Sequence, residues 1–495
     1  MLRADALPEV AAYLFWETGC GFGGLSVELQ PDAWLLHYWF LLRQGGWLDL
    51  HRSWLRSGPP PPSITSALHA ADWYEREAED LFGVSFAGHP RLGDFVLHDQ
   101  AWPEGLAPMR SEFTLGSPPA RHQGQRDWRP LLVAEEPGAF ALPLGPVYEG
   151  GIGESVHFLI ETVGEEVIRV VPRLFYHYRA IEKSAEGRSA AEGLLLAERF
   201  AGTSAFAHGW AYCRAVELLA GAEVPERAQQ LRVAWAELER MRHHAGHIAW
   251  ICRSTALNVA EAQAAMIEED LLRASGAASG HRYLWGLLAP GGLRRDPTAA
   301  EIQALLTATG RAQGQLRQLE RRLRYSSSFL DRLEECGVVT PEQAREFDLA
   351  GPVGRASGLR QDLRRELPYG GYAAHPPAAA LESEGDGYAR LRVLFREAEI
   401  SAALIEGAMK DLAPGSIAVP CPPRAGAALG WVEAPSGAAL HWLRLDAEGR
   451  IRRYHVLTAS FRNWLGFHVA AETFAFQDFP IILATFGLSA TECDR

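Results

Sequence analysis

Stretches with apolar residues at spacings of three and four constrain the fold of this chain more than any other feature of its sequence. The clearest runs from Pro225 to Cys252 and has these apolar positions: Leu231, Trp235, Leu238, Met241, Ala245 and Ile248. Two further stripes comprise Leu316, Leu319, Leu323, Leu330 and Leu333, and then Leu391, Leu394, Phe395, Ala398, Ala402 and Ile405. Each predicts a helix with one buried face. Together with a helical segment at Ala205–Leu219, they predict a helical bundle.

The N-terminal part of the chain has a different, strand-rich pattern. Leu25, Val27 and Leu29 alternate with polar residues, and Trp34–Leu42 is an apolar run that suits a buried strand. A helix is expected next, ending at Gly83. Its apolar face comprises Leu68, Ala71, Tyr74, Ala78 and Leu81, and its polar face comprises Glu75, Arg76, Glu77, Glu79 and Asp80. This part is therefore predicted to be a small α/β unit.

The change of pattern predicts an α+β protein with two domains. Their predicted boundaries are 1–115 for the small α/β domain, 116–140 for a linker rich in Pro, Arg and Gly, and 141–495 for a mainly helical domain. A β-hairpin over Val156–Val171, turning near Gly164, is expected at the start of the helical domain. Strand-like sequence between Leu440 and Tyr454 is expected near its end.

Composition excludes several classes of function. The net charge of −13 argues against general nucleic-acid binding, which requires a basic surface. No run reaches the roughly 18–20 apolar residues that span a bilayer, and the first residues do not resemble a secretory signal. No Cys-x-x-Cys pair occurs among the six cysteines, which are Cys20, Cys213, Cys252, Cys336, Cys421 and Cys493. A structural zinc or iron–sulfur site built from such pairs is not expected.

Several motifs now resemble a known family. The run Glu-Arg-Glu-Ala-Glu-Asp-Leu-Phe-Gly-Val at Glu75–Val84 is similar to the signature of the 30-kDa subunit of respiratory complex I. Four later stretches resemble its 49-kDa subunit: Tyr176–Lys183, Gly291–Asp296, Gly351–Gly358 and Gly385–Tyr388. The order and extent of these motifs resemble a fused 30-kDa/49-kDa-type protein. The similarity extends to the large subunits of membrane-bound group 4 nickel–iron hydrogenases of the formate hydrogenlyase, hydrogenase-4 and energy-converting hydrogenase-related types.

That resemblance raises the question of a nickel–iron centre. Hydrogenases of this family hold the two metals with two Cys-x-x-Cys pairs, because the site needs soft thiolate ligands. Aligned on Glu198–His208, the first pair falls on Ala201 and Ser204, and at the end of the chain the second pair falls on Ser489 and Glu492. All four thiolates are absent from these positions. The resemblance therefore implies a vacated cavity with no metal, not an active hydrogenase.

In the 49-kDa subunit of complex I the equivalent cavity receives the quinone headgroup. The resemblance places its two hydrogen-bonding positions at Gly153 and Gly202, neither of which has a side chain that can donate. Tyr148 and His157 are the candidate substitutes near the hairpin. His208 is the remaining candidate in this cavity, with the alternative that it is a hydrogen-bonded core histidine. A cavity lined by Gly153, His157, Gly202 and His208 is the predicted quinone site.

Glu182 and Arg355 are the candidate catalytic residues, because each lies in a motif that resembles the family. A carboxylate and a guanidinium inside a bundle require partners, since burying an unpaired charge costs free energy. One interpretation is proton transfer beside an adjacent cluster. The other is a buried ion pair that fixes the bundle.

Three histidines lie close together on the longest predicted helix, at positions 243, 244 and 247. An i, i+4 pair of histidines can bind a metal. Glu239 and Arg240 lie one turn earlier, however, and favour a solvated or subunit-facing polar surface. The polar surface is the preferred interpretation.

The resemblance implies the peripheral-arm large subunit of a membrane-associated, complex I-like electron-transfer complex of the NADH-quinone oxidoreductase or hydrogenase-4 type. No cofactor is expected on this chain alone, quinone is the candidate ligand, and a [4Fe–4S] cluster is expected in a neighbouring small subunit. Complex I-like and antiporter-like membrane subunits are the other expected partners. The expected location is peripheral, on the cytoplasmic side of the inner membrane. The alternative is a catalytically silent structural or coupling subunit of an energy-converting hydrogenase-related complex.

Overall fold

The structure of the chain is a computed structural model, which describes residues 6–98, 101–103, 105–116, 137–146 and 154–495. Helices and several small sheets alternate along it, so the α+β class predicted from the sequence is confirmed. Among the helices in these ranges, none is both long and apolar enough to cross a membrane.

The N-terminal unit is a three-stranded antiparallel sheet with helices beside it. Its elements are α1 (Leu7–Ala12), β1 (Gly21–Leu29), β2 (Ala33–Leu41), β3 (Trp47–Leu55) and α2 (Asp72–Phe82). The strand order is β1-β2-β3. Helix α2 ends at Gly83, whose φ of 71° is the left-handed conformation that glycine adopts without strain. The predicted strands and the predicted end of this helix agree with the structure.

The predicted polar face of α2 is not a solvated one. Glu75, Arg76 and Glu77 are buried because the loop before the helix and the C-terminal part of the chain pack over them. The Glu75 carboxylate accepts a hydrogen bond of 2.8 Å from the Ile64 amide, and Glu77 forms an ion pair of 2.8 Å with Arg495. The polar face was predicted correctly, but periodicity alone did not reveal that Glu75 and Glu77 are buried with partners.

A second three-stranded sheet contains the predicted hairpin. Its strands are β4 (Ala139–Leu144), β5 (His157–Val163) and β6 (Glu166–Arg173), in the order β4-β5-β6. The turn falls at Gly164, as predicted, with a φ of 63°. Most of the predicted linker, together with Tyr148 and Gly153, lies outside the described residues.

Helices form the centre of the molecule. Their bounds are α3 (Ile181–Ala185), α4 (Ala190–Ala197), α5 (Ala205–Ala220), α6 (Glu226–Ser254), α7 (Asn258–Ser279), α8 (Ala299–Leu323), α9 (Ser327–Leu330), α10 (Pro341–Glu346), α11 (Gly351–Ala356), α12 (Leu363–Glu366) and α13 (Gly387–Lys410). A short β-ribbon, β7 (Leu288–Ala289) and β8 (Gly292–Leu293), lies between α7 and α8. Helix α6 packs against α7 and α13, which confirms the predicted bundle. The predicted second stripe is interrupted, because α8 ends at Leu323 and Leu333 lies beyond α9.

The C-terminal region adds a third sheet and two helices. Its elements are β9 (Gly426–Ala434), β10 (Gly437–Leu445), β11 (Ile451–Leu457), α14 (Ala459–Ala471) and α15 (Phe479–Phe486). Helix α5 lies on strands β9 and β10. Three guanidinium groups reach from this region to the N-terminal unit. Arg444 contacts Glu28 at 2.6 Å, Arg453 donates to the Val27 carbonyl at 3.0 Å, and Arg495 binds Glu77.

Candidate functional site

Two segments distant in sequence meet beside the start of α5. The first is the connection from α4 to α5, and the second is 487–495, which follows α15 at Gly487. Arg179 joins them, because its guanidinium donates to the carbonyls of Phe200 at 2.6 Å, Thr491 at 2.6 Å and Asp494 at 2.9 Å. A planar guanidinium with several fixed donors is suited to holding three carbonyl groups in one arrangement.

A buried carboxylate lies where the segments meet. Ser204 Oγ donates to Glu492 Oε1 at 3.0 Å, Ser460 Oγ donates to Glu492 Oε2 at 2.6 Å, and His208 Nε2 lies 3.7 Å from Oε1. We call these four residues the Glu492 cluster. Burial raises the pKa of Glu492, but the interaction with His208 and the hydroxyl hydrogen bonds outweigh it, so the pKa lies below its ordinary value.

The cluster continues into a chain of hydrogen bonds. His208 Nδ1 and His441 Nε2 are 3.0 Å apart, and His441 Nδ1 and the Tyr454 hydroxyl are 2.7 Å apart. We call Glu492, His208, His441 and Tyr454 the histidine relay. Burial lowers the pKa of His441 well below its ordinary value, so its imidazole is neutral. A neutral imidazole donates through one nitrogen and accepts through the other, so His208, His441 and Tyr454 can form a continuous hydrogen-bonded chain. The 3.7 Å between His208 Nε2 and Glu492 Oε1 is longer than a hydrogen bond, so a proton could pass between these two groups only after a small movement.

The four positions that the resemblance assigns to metal-binding cysteines are brought together. The Ser204 amide donates to the Ala201 carbonyl at 3.2 Å, Ser204 and Glu492 are hydrogen-bonded, and the Glu492 amide donates to Ser489 Oγ at 3.2 Å. Their side chains are a methyl group, two hydroxyls and a carboxylate. Burial raises the pKa of the neighbouring Cys493 well above that of an ordinary thiol. These donors do not fit a nickel–iron centre, which requires four thiolates.

Glu154, immediately before β5, holds the second segment from the hairpin side. Its carboxylate accepts hydrogen bonds from Ser489 Oγ at 2.8 Å, from the Thr491 amide at 2.9 Å and from the Ala490 amide. The sequence analysis missed this residue. The only available signal was its position next to Gly153 in the predicted quinone loop.

Two family models match the chain. The model described as "Respiratory-chain NADH dehydrogenase, 30 Kd subunit" matches residues 1–119, and "Respiratory-chain NADH dehydrogenase, 49 Kd subunit" matches residues 263–424. The chain is a fused 30-kDa/49-kDa-type subunit of the complex I family. The fusion predicted from the motifs is thereby confirmed.

The fused subunit is similar to proteins of several complexes. It is 29% identical to formate hydrogenlyase subunit 5 of Escherichia coli, over 100% of this chain and 88% of that protein. It is 28% identical to hydrogenase-4 component G of the same species, over 100% of this chain and 87% of the relative. The C/D protein of the NADH-quinone oxidoreductase of Acinetobacter baylyi is 27% identical, over 88% of this chain and 80% of the relative.

A solved structure has the same fold. It belongs to the membrane-bound sulfane sulfur reductase, an archaeal respiratory membrane complex, and superposes with a TM-score of 0.69 at 24% identity. The match covers 73% of the fused subunit and 100% of the solved chain. This likeness supports the fold.

His157 and Gly202 lie at different places in the fused subunit. His157 lines a cavity of about 370 Å³ beside α2, β6 and α14, whereas His208 lies in the Glu492 cluster. Trp464 also lines that cavity, and its indole N–H donates to the Ser489 carbonyl at 3.2 Å. Gly202 lies in a partly exposed turn, and a Cβ added there would meet no heavy atom within 4 Å. A cavity shared by Gly153, His157, Gly202 and His208 stays a prediction.

Glu182 lies at the centre of a buried ion cluster. Its carboxylate contacts Arg453 at 3.1 Å, His455 Nδ1 at 3.1 Å and Arg495 Nε at 3.2 Å. Burial raises the pKa of Glu182, but the positive charges around it lower the pKa further, to well below the ordinary value. Arg495 also binds Glu77, so this cluster joins α2 to the C-terminal region.

Arg355 occupies a second buried ion cluster. Its guanidinium contacts Glu397 Oε1 at 2.7 Å and Glu433 Oε1 at 2.8 Å. Glu397 Oε2 lies 2.8 Å from His244 Nε2. Despite its burial, which raises the pKa, Glu397 has a pKa well below the ordinary value because of Arg355 and His244. The contacts of Arg355 match the buried ion pair considered as one interpretation of the sequence.

The histidines of α6 do not form a solvated surface. His244 and His247 are buried, as are Glu239 and Arg240. His244 binds Glu397, whereas His247 Nε2 lies 2.8 Å from the Ala484 carbonyl, so the two rings have separate partners. A solvated surface at His244 and His247 was therefore wrong, because α13 and α15 pack against α6, whereas His243 is half-buried and its predicted polar role stays a prediction.

Proposed function

We propose that the fused subunit is the large peripheral subunit of a membrane-associated, complex I-like electron-transfer complex and lies beside a small subunit that holds a [4Fe–4S] cluster. The match to both complex I families and the relatives in formate hydrogenlyase, hydrogenase-4 and NADH-quinone oxidoreductase support this assignment. By analogy with such complexes, the subunit is attached to the cytoplasmic side of the membrane through complex I-like and antiporter-like partners.

The observation that carries the proposal is the Glu492 cluster. Its oxygen and nitrogen donors occupy the place where a hydrogenase needs sulfur, so the site is suited to handling protons rather than to binding nickel. Reduction of a quinone consumes two electrons and two protons. In this proposal the electrons come from the [4Fe–4S] subunit, the quinone binds beside the Gly202 turn, and the histidine relay supplies protons to it.

The experiment is purification of the intact complex, followed by metal analysis and a quinone reductase assay. We expect iron from the partner's cluster, no stoichiometric nickel, and quinone reduction that falls at least tenfold in Gly202→Trp. A Cβ added at Gly202 meets no heavy atom within 4 Å, so a tryptophan there can occupy the proposed quinone site without displacing its neighbours. Gly314→Trp, on an exposed position of α8 with similar space, is the matched control. Stoichiometric nickel, or full activity in Gly202→Trp, would contradict the proposal.

One observation favours a second candidate function, a catalytically silent coupling subunit. The carboxylates of Glu492 and Glu154 are already satisfied by donors of the same chain, as expected of a site that holds structure. In this case the complex would reduce its acceptor elsewhere. Activity unaffected both by Gly202→Trp and by Glu492→Gln, with assembly lost in neither, would support the silent role over the redox one.

A further inference from the structure

Three potential metal ligands lie together on the N-terminal sheet, far from the Glu492 cluster in sequence. His37 of β2 lies directly opposite His51 of β3, and Asp49 lies two positions along β3. Side chains at such positions share one face of an antiparallel pair. His37 Nδ1 is 2.9 Å from Asp49 Oδ2, and His51 Nδ1 is 3.2 Å from the same oxygen. Each of the three residues offers a ligand atom within 4.8 Å of the other two.

These separations are close to those of a tetrahedral metal site. Zinc–nitrogen and zinc–oxygen bonds of about 2.0–2.2 Å place neighbouring ligand atoms roughly 3.4 Å apart at tetrahedral angles. The separation between the two histidine ligand atoms lies within 4.8 Å, so rotation of the half-buried Asp49 and exposed His51 side chains would bring the three ligands to this geometry. The exposures of 28% for Asp49 and 56% for His51 leave that movement free and give an ion access from solvent.

The third ligand, His37, is held rigidly. Its side chain is 6% exposed, its ring stacks on Trp39 with centroids 5.8 Å apart, and Trp442 of β10 lies against it at 5.1 Å. Its Nε2 faces Glu28 Oε2 at 3.7 Å, and Arg444 fixes the Glu28 carboxylate. A carboxylate behind a ligating histidine can orient the ring, and at 3.7 Å Glu28 acts on His37 through its charge rather than through a hydrogen bond.

We propose that His37 Nδ1, Asp49 Oδ2 and His51 Nδ1 form a binding site for one divalent ion of the zinc class. Two imidazoles and a carboxylate suit zinc, cobalt(II) or nickel(II) better than magnesium or calcium, which prefer oxygen ligands. The open side of the site leaves a fourth position for water. The site lies where the N-terminal sheet meets β10, so a bound ion would stabilise the contact between the two regions. This proposal is independent of the proposed electron-transfer function.

The test is titration of the full-length, EDTA-treated protein with ZnSO₄ by calorimetry, with cobalt(II) absorption as a second measurement. We expect one saturable equivalent with a tetrahedral cobalt spectrum. His51→Ala and Asp49→Asn, both at accessible positions, should weaken binding at least 100-fold. Glu28→Gln should weaken it about 10-fold, the lower end of the effect of a residue that orients a ligand.

His69→Ala is the matched control, because His69 is also an exposed histidine beside a carboxylate, Glu346 at 3.5 Å. It should bind zinc as the unaltered protein does. Absence of saturable binding in the unaltered protein would overturn the proposal. Equal affinity in His51→Ala would also overturn it, because the ion would then be bound elsewhere. Circular dichroism of each variant identifies any loss of binding that results from unfolding.

Discussion

Glu492 and Glu397 are both buried carboxylates, but their partners differ in charge. Glu397 binds the guanidinium of Arg355 and the imidazole of His244. Glu492 accepts hydrogen bonds from two serine hydroxyls, and within the described ranges its ion-pair partner within 4.0 Å is His208. A carboxylate held by a guanidinium stays ionised, because protonating it would leave that cation unpaired. Protonating a carboxylate that is held by hydroxyls and one histidine costs much less free energy, so such a group can exchange a proton. The comparison separates a cluster that stabilises the fold from one that can support chemistry.

The largest expected effect comes from removing the cation of the Arg355 cluster. Arg355→Met leaves the carboxylates of Glu397 and Glu433 buried without the guanidinium that pairs with them. The free energy of unfolding should therefore fall by about 3–5 kcal/mol. Urea denaturation measures this change. As a control, Lys410→Ala removes an exposed ion pair with Glu406 on α13 and should cost less than about 1 kcal/mol. If both substitutions lowered the free energy of unfolding equally, the ion pairs of Arg355 would not stabilise the fold more than an exposed pair does.

The opposite pattern is expected for Glu492→Gln. The amide preserves the shape and part of the hydrogen bonding, so the fold should lose only about 1 kcal/mol. Quinone reduction by the intact complex should fall about 100-fold, because the group can no longer take up a proton. Glu397→Gln is the matched control for Glu492→Gln, and it should lower the free energy of unfolding by more than Glu492→Gln does. Full turnover in folded Glu492→Gln would place proton transfer elsewhere.

A smaller effect is expected in the middle of the relay. His441→Gln can contact Tyr454 but cannot exchange a proton as an imidazole does. Turnover should fall about tenfold, equivalent to about 1.4 kcal/mol in the barrier. The pH dependence of turnover should also change, which a merely structural defect would not produce. A variant with lower turnover and an unchanged pH profile would argue against the relay.

The smallest effect concerns stability at acid pH. The pKa of Glu492 is lower in the folded than in the unfolded state, so its contribution is present above about pH 4.5 and is lost as the pH falls through the folded value. Glu492→Gln should therefore flatten the loss of stability below pH 4.5, measured by urea denaturation at successive pH values. An unchanged profile would mean that Glu492 is not ionised in the folded protein.

Elements with a continuous apolar stripe were predictable from the sequence. Helix α6 and the hairpin turn at Gly164 lie where periodicity and turn chemistry placed them. Local patterns did not reveal which charges are buried, because α2 has the periodicity of a surface helix while Glu75 is covered by the preceding loop and Glu77 by Arg495. The position of a charge on a helix therefore does not decide its exposure when another domain packs over it.

The candidate site was predictable only in part. The motif resemblance placed Ser204, Ser489 and Glu492 in one region, and the structure brings them into contact. It did not reveal Glu154, which is separated from its partner Ser489 by 335 residues. The same limit applies to His37, Asp49 and His51, whose shared face depends on the register of β2 and β3.

The three guanidinium contacts from the C-terminal region to the N-terminal unit have a consequence for the fusion itself. Arg444, Arg453 and Arg495 each complete an interaction in the first unit. Were the two units separate polypeptides, each such contact would require a bimolecular encounter at cellular concentrations. A covalent connection raises the local concentration of one unit around the other, to about the millimolar range for short linkers. Translation as a single polypeptide also produces both units in equal number. The N-terminal unit therefore does not accumulate without the guanidinium groups that pair with Glu28 and Glu77.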